Sequence, residues 1–147
     1  VTVSFLGTFT HTLDSKGRLT IPARLREGLE EGLILTRGFE SCLMIYPHSV
    51  WREQTQRLAT LPRTSTERRV FTRWVYGGAI EVALDSLGRI LVPDHLRAYA
   101  ELQEQAVIVG ADEAIEIWSP QRHDEILRAD LDRLPGILDS LSERSAV

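Results

Sequence analysis

The sequence has a single cysteine, Cys42, among its 147 residues. One cysteine excludes an internal disulfide bond and a zinc site built from several thiolates, so a reducing compartment is expected. No apolar run approaches the roughly 18 residues of a membrane-spanning helix, and no charged-then-apolar signal segment opens the sequence. The sequence therefore predicts a cytoplasmic protein without a membrane partner.

Signals of enzymatic chemistry are also scarce. The four histidines are scattered, and none has a partner at the spacing of metal ligands. The sequence has no glycine-rich phosphate loop, no nucleophile elbow and no paired carboxylate motif. Cys42 lies beside Leu43 in a predicted strand, which suits a small buried residue better than a nucleophile. We therefore expect no catalytic site, no metal, no cofactor and no small-molecule substrate.

An internal repeat is the strongest feature present. Residues 13–26 and 84–97 share the pattern Leu-Asp-Ser-x-Gly-Arg, with a proline four residues after the arginine, at a constant offset of 71 residues. Self-similarity at a fixed offset indicates two copies of one structural unit. A unit of this size is marginally stable alone, so we expect the two copies to pack together and interleave their hairpins. We predict units over 5–76 and 77–134 and a C-terminal tail over 135–147.

Each copy has the same predicted order of elements. An alternating strand leads into a turn at Asp14 and Gly17, or Asp85 and Gly88, because aspartate bonds nearby backbone amides and glycine accepts positive φ. The further predicted strands are 19–21, 33–36 and 42–46, then 90–92, 106–109 and 114–118, and the short helices are 23–29 and 94–100. Longer helices begin near Pro47 and at Pro120, after a Ser119 N-cap, and an extra helix over 66–76 ends at a Gly-Gly pair. We predict that Pro135-Gly136 breaks the last helix.

The repeated motif resembles the swapped-hairpin DNA-binding domains of AbrB-like transcription factors. It reads Leu-Asp-x-x-Gly-Arg, then an apolar residue, a variable residue, a second apolar residue and proline. Two tandem copies resemble the MraZ family closely, and residues 5–23 are similar to that family's N-terminal signature. The phrases at 36–38, 46–47 and 88–90 match as well, and the resemblance extends from residue 5 to about 130.

The resemblance implies an α+β, mainly β, fold in which two swapped-hairpin units form a β-barrel-like core with flanking helices. It also implies a cytoplasmic, nucleoid-associated homo-oligomeric ring whose basic turns bind direct repeats in promoter DNA. Members of the family act chiefly as repressors of their own division and cell-wall gene cluster, so we expect a DNA-binding transcriptional regulator.

The candidate DNA-binding residues are cations on the predicted turns and short helices. They are Lys16, Arg18, Arg24, Arg26 and, in the second copy, Arg89. Arginine can read guanine with both arms of its fork, whereas lysine acts as a point charge on phosphate. Residues 1–76 carry 11 Lys and Arg against 7 Asp and Glu, a net +4, whereas residues 77–147 carry 6 against 14, a net −8. We therefore expect the first copy to bind DNA and the second mainly to complete fold and ring.

Differences between the copies support this division. Leu87 replaces Lys16, and Asp94-His95 replaces Ala23-Arg24, so the second copy loses two cations and gains an anion.

Several alternatives stay open at this level. Each Asp-Arg pair could simply fix its turn, and the basic face of the extra helix (Arg68, Arg69 and Arg73) could be solvated or could contact the acidic half of a neighbouring subunit. The aromatic residues fit a core or subunit interface better than a base-stacking platform. Rival functions are an oligomeric protein scaffold and an antitoxin-like regulator acting through its C-terminal region.

Overall fold

The computed structural model describes residues 4–145. The first unit contains β1 (Thr8–Thr12), β2 (Arg18–Thr20), α1 (Ala23–Arg26) with a 3₁₀ turn (Glu27–Leu29), β3 (Leu33–Arg37), β4 (Leu43–Pro47) and α2 (His48–Ala59). The connecting helix is α3 (Thr66–Gly78). The second unit contains β5 (Ile80–Val82), β6 (Arg89–Leu91), α4 (Asp94–Tyr99), β7 (Gln105–Ala111), β8 (Ala114–Trp118) and α5 (Pro120–Ser145).

The strands of the two units are exchanged. Six antiparallel strands form one sheet in the order β1-β7-β8-β4-β3-β5, and β2 pairs with β6 in a two-stranded ribbon. Strand β1 of the first unit pairs with β7 of the second, with Phe9 opposite Ile108, and β5 of the second unit pairs with β3 of the first, with Val82 opposite Leu33. The predicted mainly β, swapped-hairpin α+β fold is confirmed.

One apolar core joins both sheets and the short helices. Its buried side chains include Leu19 and Ile90 of the ribbon, Ile45 of the large sheet, Leu25 of α1 and Leu96 of α4. Leu19 and Ile90 are opposed in the ribbon and both point into this core. Because each unit supplies only part of the core, separating the units would expose it to water.

Helix α3 begins as its sequence suggests but ends later. The Ser65 hydroxyl accepts a hydrogen bond from the Arg68 backbone amide, which caps the N-terminus. The predicted end before the Gly-Gly pair is two residues early, since the helix includes Gly77 and Gly78. Gly78 is buried against Arg37, and a Cβ there would lie 2.7 Å from the Arg37 Nε, so close approach explains this glycine.

The predicted break at Pro135-Gly136 is wrong. Helix α5 is continuous from Pro120 to Ser145, with Pro135 in its interior. Proline removes one helical hydrogen bond, but this part of the helix is exposed, so water can satisfy the freed carbonyl group. The predicted tail therefore begins as a continuation of α5, and its last two residues, 146–147, lie outside the described residues.

Within residues 4–145, none of the helices combines the length and apolar character needed to cross a membrane.

Candidate nucleic-acid interface

The ribbon β2–β6 presents two arginines on its outer face. Arg18 lies opposite Leu91, and Arg89 lies opposite Thr20. Directly opposed residues share a face, and side chains alternate along a strand, so these four point away from the buried Leu19–Ile90 face. The two arginines are diagonal neighbours, roughly 7–8 Å apart at the backbone. One rigid surface thus carries the arginine of each repeat.

Asp14 organises the first turn. One of its carboxylate oxygens accepts hydrogen bonds from the backbone amides of Lys16 at 3.0 Å and Arg18 at 2.8 Å. The other oxygen accepts a hydrogen bond from the Arg18 Nε at 2.7 Å. Gly17 has φ +84°, which completes the tight turn. Asp14 therefore fixes both the backbone and the direction of the Arg18 side chain.

The second turn repeats this arrangement. Asp85 accepts hydrogen bonds from the backbone amides of Leu87 at 2.9 Å and Arg89 at 2.8 Å, and from the Arg89 Nε at 2.8 Å. The Asp-Arg ion pair offered above as a structural alternative is thus present in both copies. It occupies only Nε of each guanidinium. Within residues 4–145, no hydrogen bond uses the terminal amino groups of Arg18 or Arg89, which leaves each fork able to donate outward.

The turn carboxylates are stabilised in their charged form. The hydrogen bond from the Arg18 backbone amide, helped by the Arg18 side chain, lowers the pKa of Asp14 below its ordinary value. The pKa of Asp85 is lowered in the same way, first by the Arg89 backbone amide. Hydrogen bonds donated to a carboxylate favour the ionised form, which explains the direction of both shifts.

This lowered pKa predicts a pH-dependent stability difference. A carboxylate with a depressed folded-state pKa stabilises the fold above its unfolded pKa, about 3.9, and loses that contribution as pH falls through the folded value. We expect the double variant Asp14→Asn/Asp85→Asn, which can still accept the backbone hydrogen bonds, to unfold at lower denaturant concentration than the wild type at pH 7. Urea titrations between pH 7 and pH 3 should show the two midpoints converging on the acid side. A gap that is constant with pH would contradict this role of the charge.

Each turn lies against an arginine of the other repeat. A Cβ at Gly88 would overlap the Arg26 guanidinium, and a Cβ at Gly17 would overlap that of Arg97. The Arg26 Nε also donates to the Ile21 carbonyl oxygen at 2.7 Å. Because the glycines allow this close approach, each turn packs against an arginine side chain from the opposite copy.

Gly88→Ala is therefore expected to destabilise the protein. Alanine at φ +75° is strained by about 1–3 kcal/mol, and its methyl group would displace Arg26 in addition. Gly136→Ala is the matched control, because among residues 4–145 nothing beyond the adjoining helix backbone lies within 4 Å of a Cβ at that position in α5. The control should stabilise the protein by about 0.5–1 kcal/mol through helix propensity. Chemical unfolding measures the change in the free energy of unfolding for both variants. A Gly88→Ala variant as stable as the wild type would refute the contact between Arg26 and the turn.

The remaining predicted cations differ in their surroundings. The side chains of Lys16 and Arg24 are exposed near the ribbon, whereas Arg26 is half-buried in its contact with the Gly88 turn. Leu87, in the place of Lys16, is 63% exposed, and Leu91, in the place of Thr20, is 56% exposed. The two halves of one ribbon therefore differ in chemistry: the first is basic and polar, the second contains exposed leucines around Arg89.

Several residues of this surface are not among those that the sequence predicts. Thr20 and Leu91 lie on the outer face of the ribbon, and Arg97 lies against the Gly17 turn and pairs with Asp94. Arg97 could have been found, because it stands 71 residues after Arg26 in the repeat. The outer-face residues required the β2–β6 register, which the repeat alone does not provide.

Other reactive groups lie away from the ribbon. Cys42 is buried, and desolvation with the nearby Glu116 and Glu40 carboxylates raises the pKa of its thiol to about 12. Such a thiol is protonated at neutral pH and therefore a poor nucleophile. Over the described range 4–145, no three His, Cys, Asp or Glu side chains are grouped to hold a metal ion.

A family model matches the chain twice, over residues 4–74 and 75–134, and is described as "MraZ protein, putative antitoxin-like". The chain belongs to the MraZ family. The two successive matches show two tandem MraZ domains, which agrees with the internal repeat.

Similar MraZ proteins come from several bacteria. A Roseiflexus protein (strain RS-1) named "Transcriptional regulator MraZ" is 49% identical over 125 residues, covering 85% of this chain and 87% of that protein. A protein of the same name from Herpetosiphon aurantiacus is 46% identical over 138 residues, covering 94% and 96%. One from Moorella thermoacetica is 42% identical over 137 residues, covering 93% and 96%.

Proposed function

We propose that the protein is a sequence-specific DNA-binding transcriptional regulator that represses its own division and cell-wall gene cluster. The observation that carries the proposal is the outward, pre-oriented pair Arg18 and Arg89 on the two-stranded ribbon. The names of the MraZ relatives as transcriptional regulators support the same function.

The ribbon has the shape and chemistry that DNA recognition needs. The major groove of B-DNA admits a two-stranded β-ribbon as well as an α-helix. Because the Arg18 Nε is held by Asp14 at 2.7 Å, its two terminal amino groups are free to donate together to guanine O6 and N7. Lys16 on the adjoining turn and Arg24 on α1 are placed to contact phosphates, which supply affinity and fix the register on the duplex.

The first repeat is proposed as the main DNA-contacting unit of each subunit, called its reading head below. The first repeat has Lys16 and Arg24 in addition to Arg18. The second repeat has Arg89, but Leu87 replaces the lysine and Asp94-His95 replaces Ala23-Arg24. The cation lost at Leu87 removes one phosphate contact, and the net −8 of residues 77–147 repels the DNA backbone. Arg26 packs against the Gly88 turn and donates to the Ile21 carbonyl oxygen, so its proposed role is mainly to position that turn.

The proposed assembly is a cytoplasmic, nucleoid-associated homo-oligomeric ring bound to direct repeats in promoter DNA. The charge difference between halves, +4 against −8, favours head-to-tail contacts, and such heterologous contacts close into rings when the rotation permits. Several reading heads on one ring then meet several repeats on one promoter, so weak individual contacts add through avidity.

Repression predicts a direct effect on transcription. We expect a chromosomal Arg18→Ala allele to raise transcript levels of the protein's own gene cluster several-fold, because the promoter would no longer be occupied. Arg128→Ala, which removes an exposed arginine of α5 instead, is the matched control and should leave transcription unchanged. Quantitative transcript measurement with equal protein levels checks this, and a fall in transcription would indicate an activator.

A further inference from the structure

Within residues 4–145, helix α5 carries an apolar surface that is exposed to solvent. Among the residues that the structure describes, the start of α5 packs on the body of the protein, where Ile126 contacts the cluster of Cys42, Val107 and Trp118. From residue 127 onward the helix is almost wholly exposed, and 19 residues to Ser145 span roughly 28 Å at 1.5 Å per residue. We define the leucine stripe by its five exposed members, Leu127, Leu131, Leu134, Leu138 and Leu141.

The spacing of the leucine stripe is informative. Its members follow one another at intervals of four and three residues, the spacing with which one helix packs along another. A water-exposed seam of five leucines is costly to leave open, and contiguous exposed apolar patches mark interaction sites. We therefore infer that the leucine stripe binds an apolar surface of a partner.

A complementary apolar surface lies between α2 and α3. We define the α2–α3 groove by Phe39, Leu58, Leu61, Val70 and Phe71, of which Phe39 is 57% and Val70 53% exposed. Two adjoining cavities of about 560 and 520 Å³ open along it. The Phe39 and Phe71 rings, 6.0 Å apart between centroids, line both cavities. No residue of α5 lines either cavity within the described part of the chain.

Charge favours this groove over a second α5 as the partner of the stripe. Residues 48–78, which include α2 and α3, carry six arginines against two glutamates, and the charged side chains that line the two cavities themselves are Arg57 and Glu67. Helix α5 carries six acidic residues against four arginines. Pairing two α5 helices brings together two net negative surfaces, whereas docking α5 on the groove joins opposite signs.

We propose that the leucine stripe of one copy docks in the α2–α3 groove of a second copy and forms the subunit contact of the oligomer. This inference rests on the proposed homo-oligomer and names the surfaces that build it. One contact of this kind covers both exposed apolar surfaces. The burial of leucines is its main driving force, and the net positive charge of residues 48–78 favours the net negative α5 as the occupant.

The first test measures oligomer mass. Leu131→Glu/Leu134→Glu places two carboxylates in the stripe and is expected to reduce the mass measured by light scattering to that of one chain, 16.6 kDa. Gly136→Glu/Ser140→Glu places the same charges on the opposite face of α5, where a Cβ at Gly136 meets nothing within 4 Å, and should retain the wild-type mass. A stripe variant that is folded by circular dichroism and keeps the full oligomer mass would overturn the proposal.

The second test identifies the occupant of the groove. The only native cysteine, Cys42, is buried with its pKa raised to about 12, so introduced cysteines can be linked selectively. A short bis-maleimide should link Leu134→Cys chains to Val70→Cys chains in a mixture, and should link neither variant to itself. Self-linking of Leu134→Cys alone would show α5–α5 pairing, and no linking at all would leave the groove unoccupied. Either result refutes the proposal.

These outcomes are separable from those of the DNA-binding proposal. The stripe and groove variants leave Arg18, Lys16 and the ribbon intact, so the anisotropy of a labelled promoter duplex can be measured on the same samples. An unchanged mass with normal DNA binding would refute only the subunit contact. A correct subunit contact without DNA binding would refute only the regulator.

Discussion

Arg18→Ala is expected to weaken binding to the promoter duplex by about 100-fold, whereas Arg89→Ala weakens it by about tenfold or less. A bidentate arginine–guanine contact is worth about 1–3 kcal/mol, and each 1.4 kcal/mol is a factor of ten in affinity. The effect repeats at each reading head that engages the DNA. Arg89 has the same ion-paired geometry but Leu87 beside it rather than a lysine. Fluorescence anisotropy titrations of the two variants against one labelled duplex measure the difference.

The control for this comparison is an arginine far from the ribbon. Arg128→Ala removes the same charge from the exposed face of α5 and should change affinity little. Circular dichroism and oligomer mass must match the wild type for all three variants. Equal losses for Arg18→Ala and Arg89→Ala, with folding intact, would refute the proposed division between a reading copy and a structural copy.

The number of repeats in the DNA is expected to have a comparable effect. A duplex with three or more direct repeats should bind at least about 100-fold more tightly than a duplex of equal length with one repeat, because linked sites raise avidity by 10²–10⁴. The leucine-stripe variant Leu131→Glu/Leu134→Glu should lose most of this gain and retain the affinity for a single repeat. Equal affinity of the wild type for both duplexes would contradict binding by several heads of one oligomer.

Much of the fold could be predicted from the repeat. The offset of 71 residues placed equivalent turns, short helices and strands in both copies, and β8 was predicted over the residues it occupies, 114–118. These predictions rest on local signals: alternation, a turn aspartate and glycine, and proline before a short helix. The local pattern also indicated interleaved hairpins, because one unit is too small to bury a core.

The wrong prediction at Pro135 and the unpredicted residues of the ribbon surface depend on tertiary contacts, which the pattern of a single sequence does not contain. Pro135 predicts the end of α5, yet a proline on an exposed helix loses one hydrogen bond, and the freed carbonyl group is open to water. The contacts of Arg26 with the Gly88 turn and Arg97 with the Gly17 turn depend on which copy lies against which. The outer face of the ribbon likewise depends on the register that sets Arg18 opposite Leu91.

The predicted site residues are placed in two groups by these contacts. The first group has side chains that can contact DNA on or near the ribbon surface: Lys16, Arg18, Arg24 and Arg89. The second group is Arg26 alone, which packs against the Gly88 turn. Asp14 and Asp85 serve as positioning residues, because they hold the arginines by Nε and leave the terminal amino groups outward. The assignment of the ribbon cations to DNA binding stays a prediction.

The most direct test of the ribbon as a DNA-reading surface is an anisotropy titration with the duplex from immediately upstream of the protein's own gene. Wild type and Arg18→Ala are titrated at two salt concentrations against this duplex and a scrambled one. We predict tight binding that prefers the native duplex, weakens with salt because phosphate contacts release counterions, and is lost in Arg18→Ala. A folded oligomer that binds both duplexes equally, or that keeps its preference in Arg18→Ala, would contradict the account.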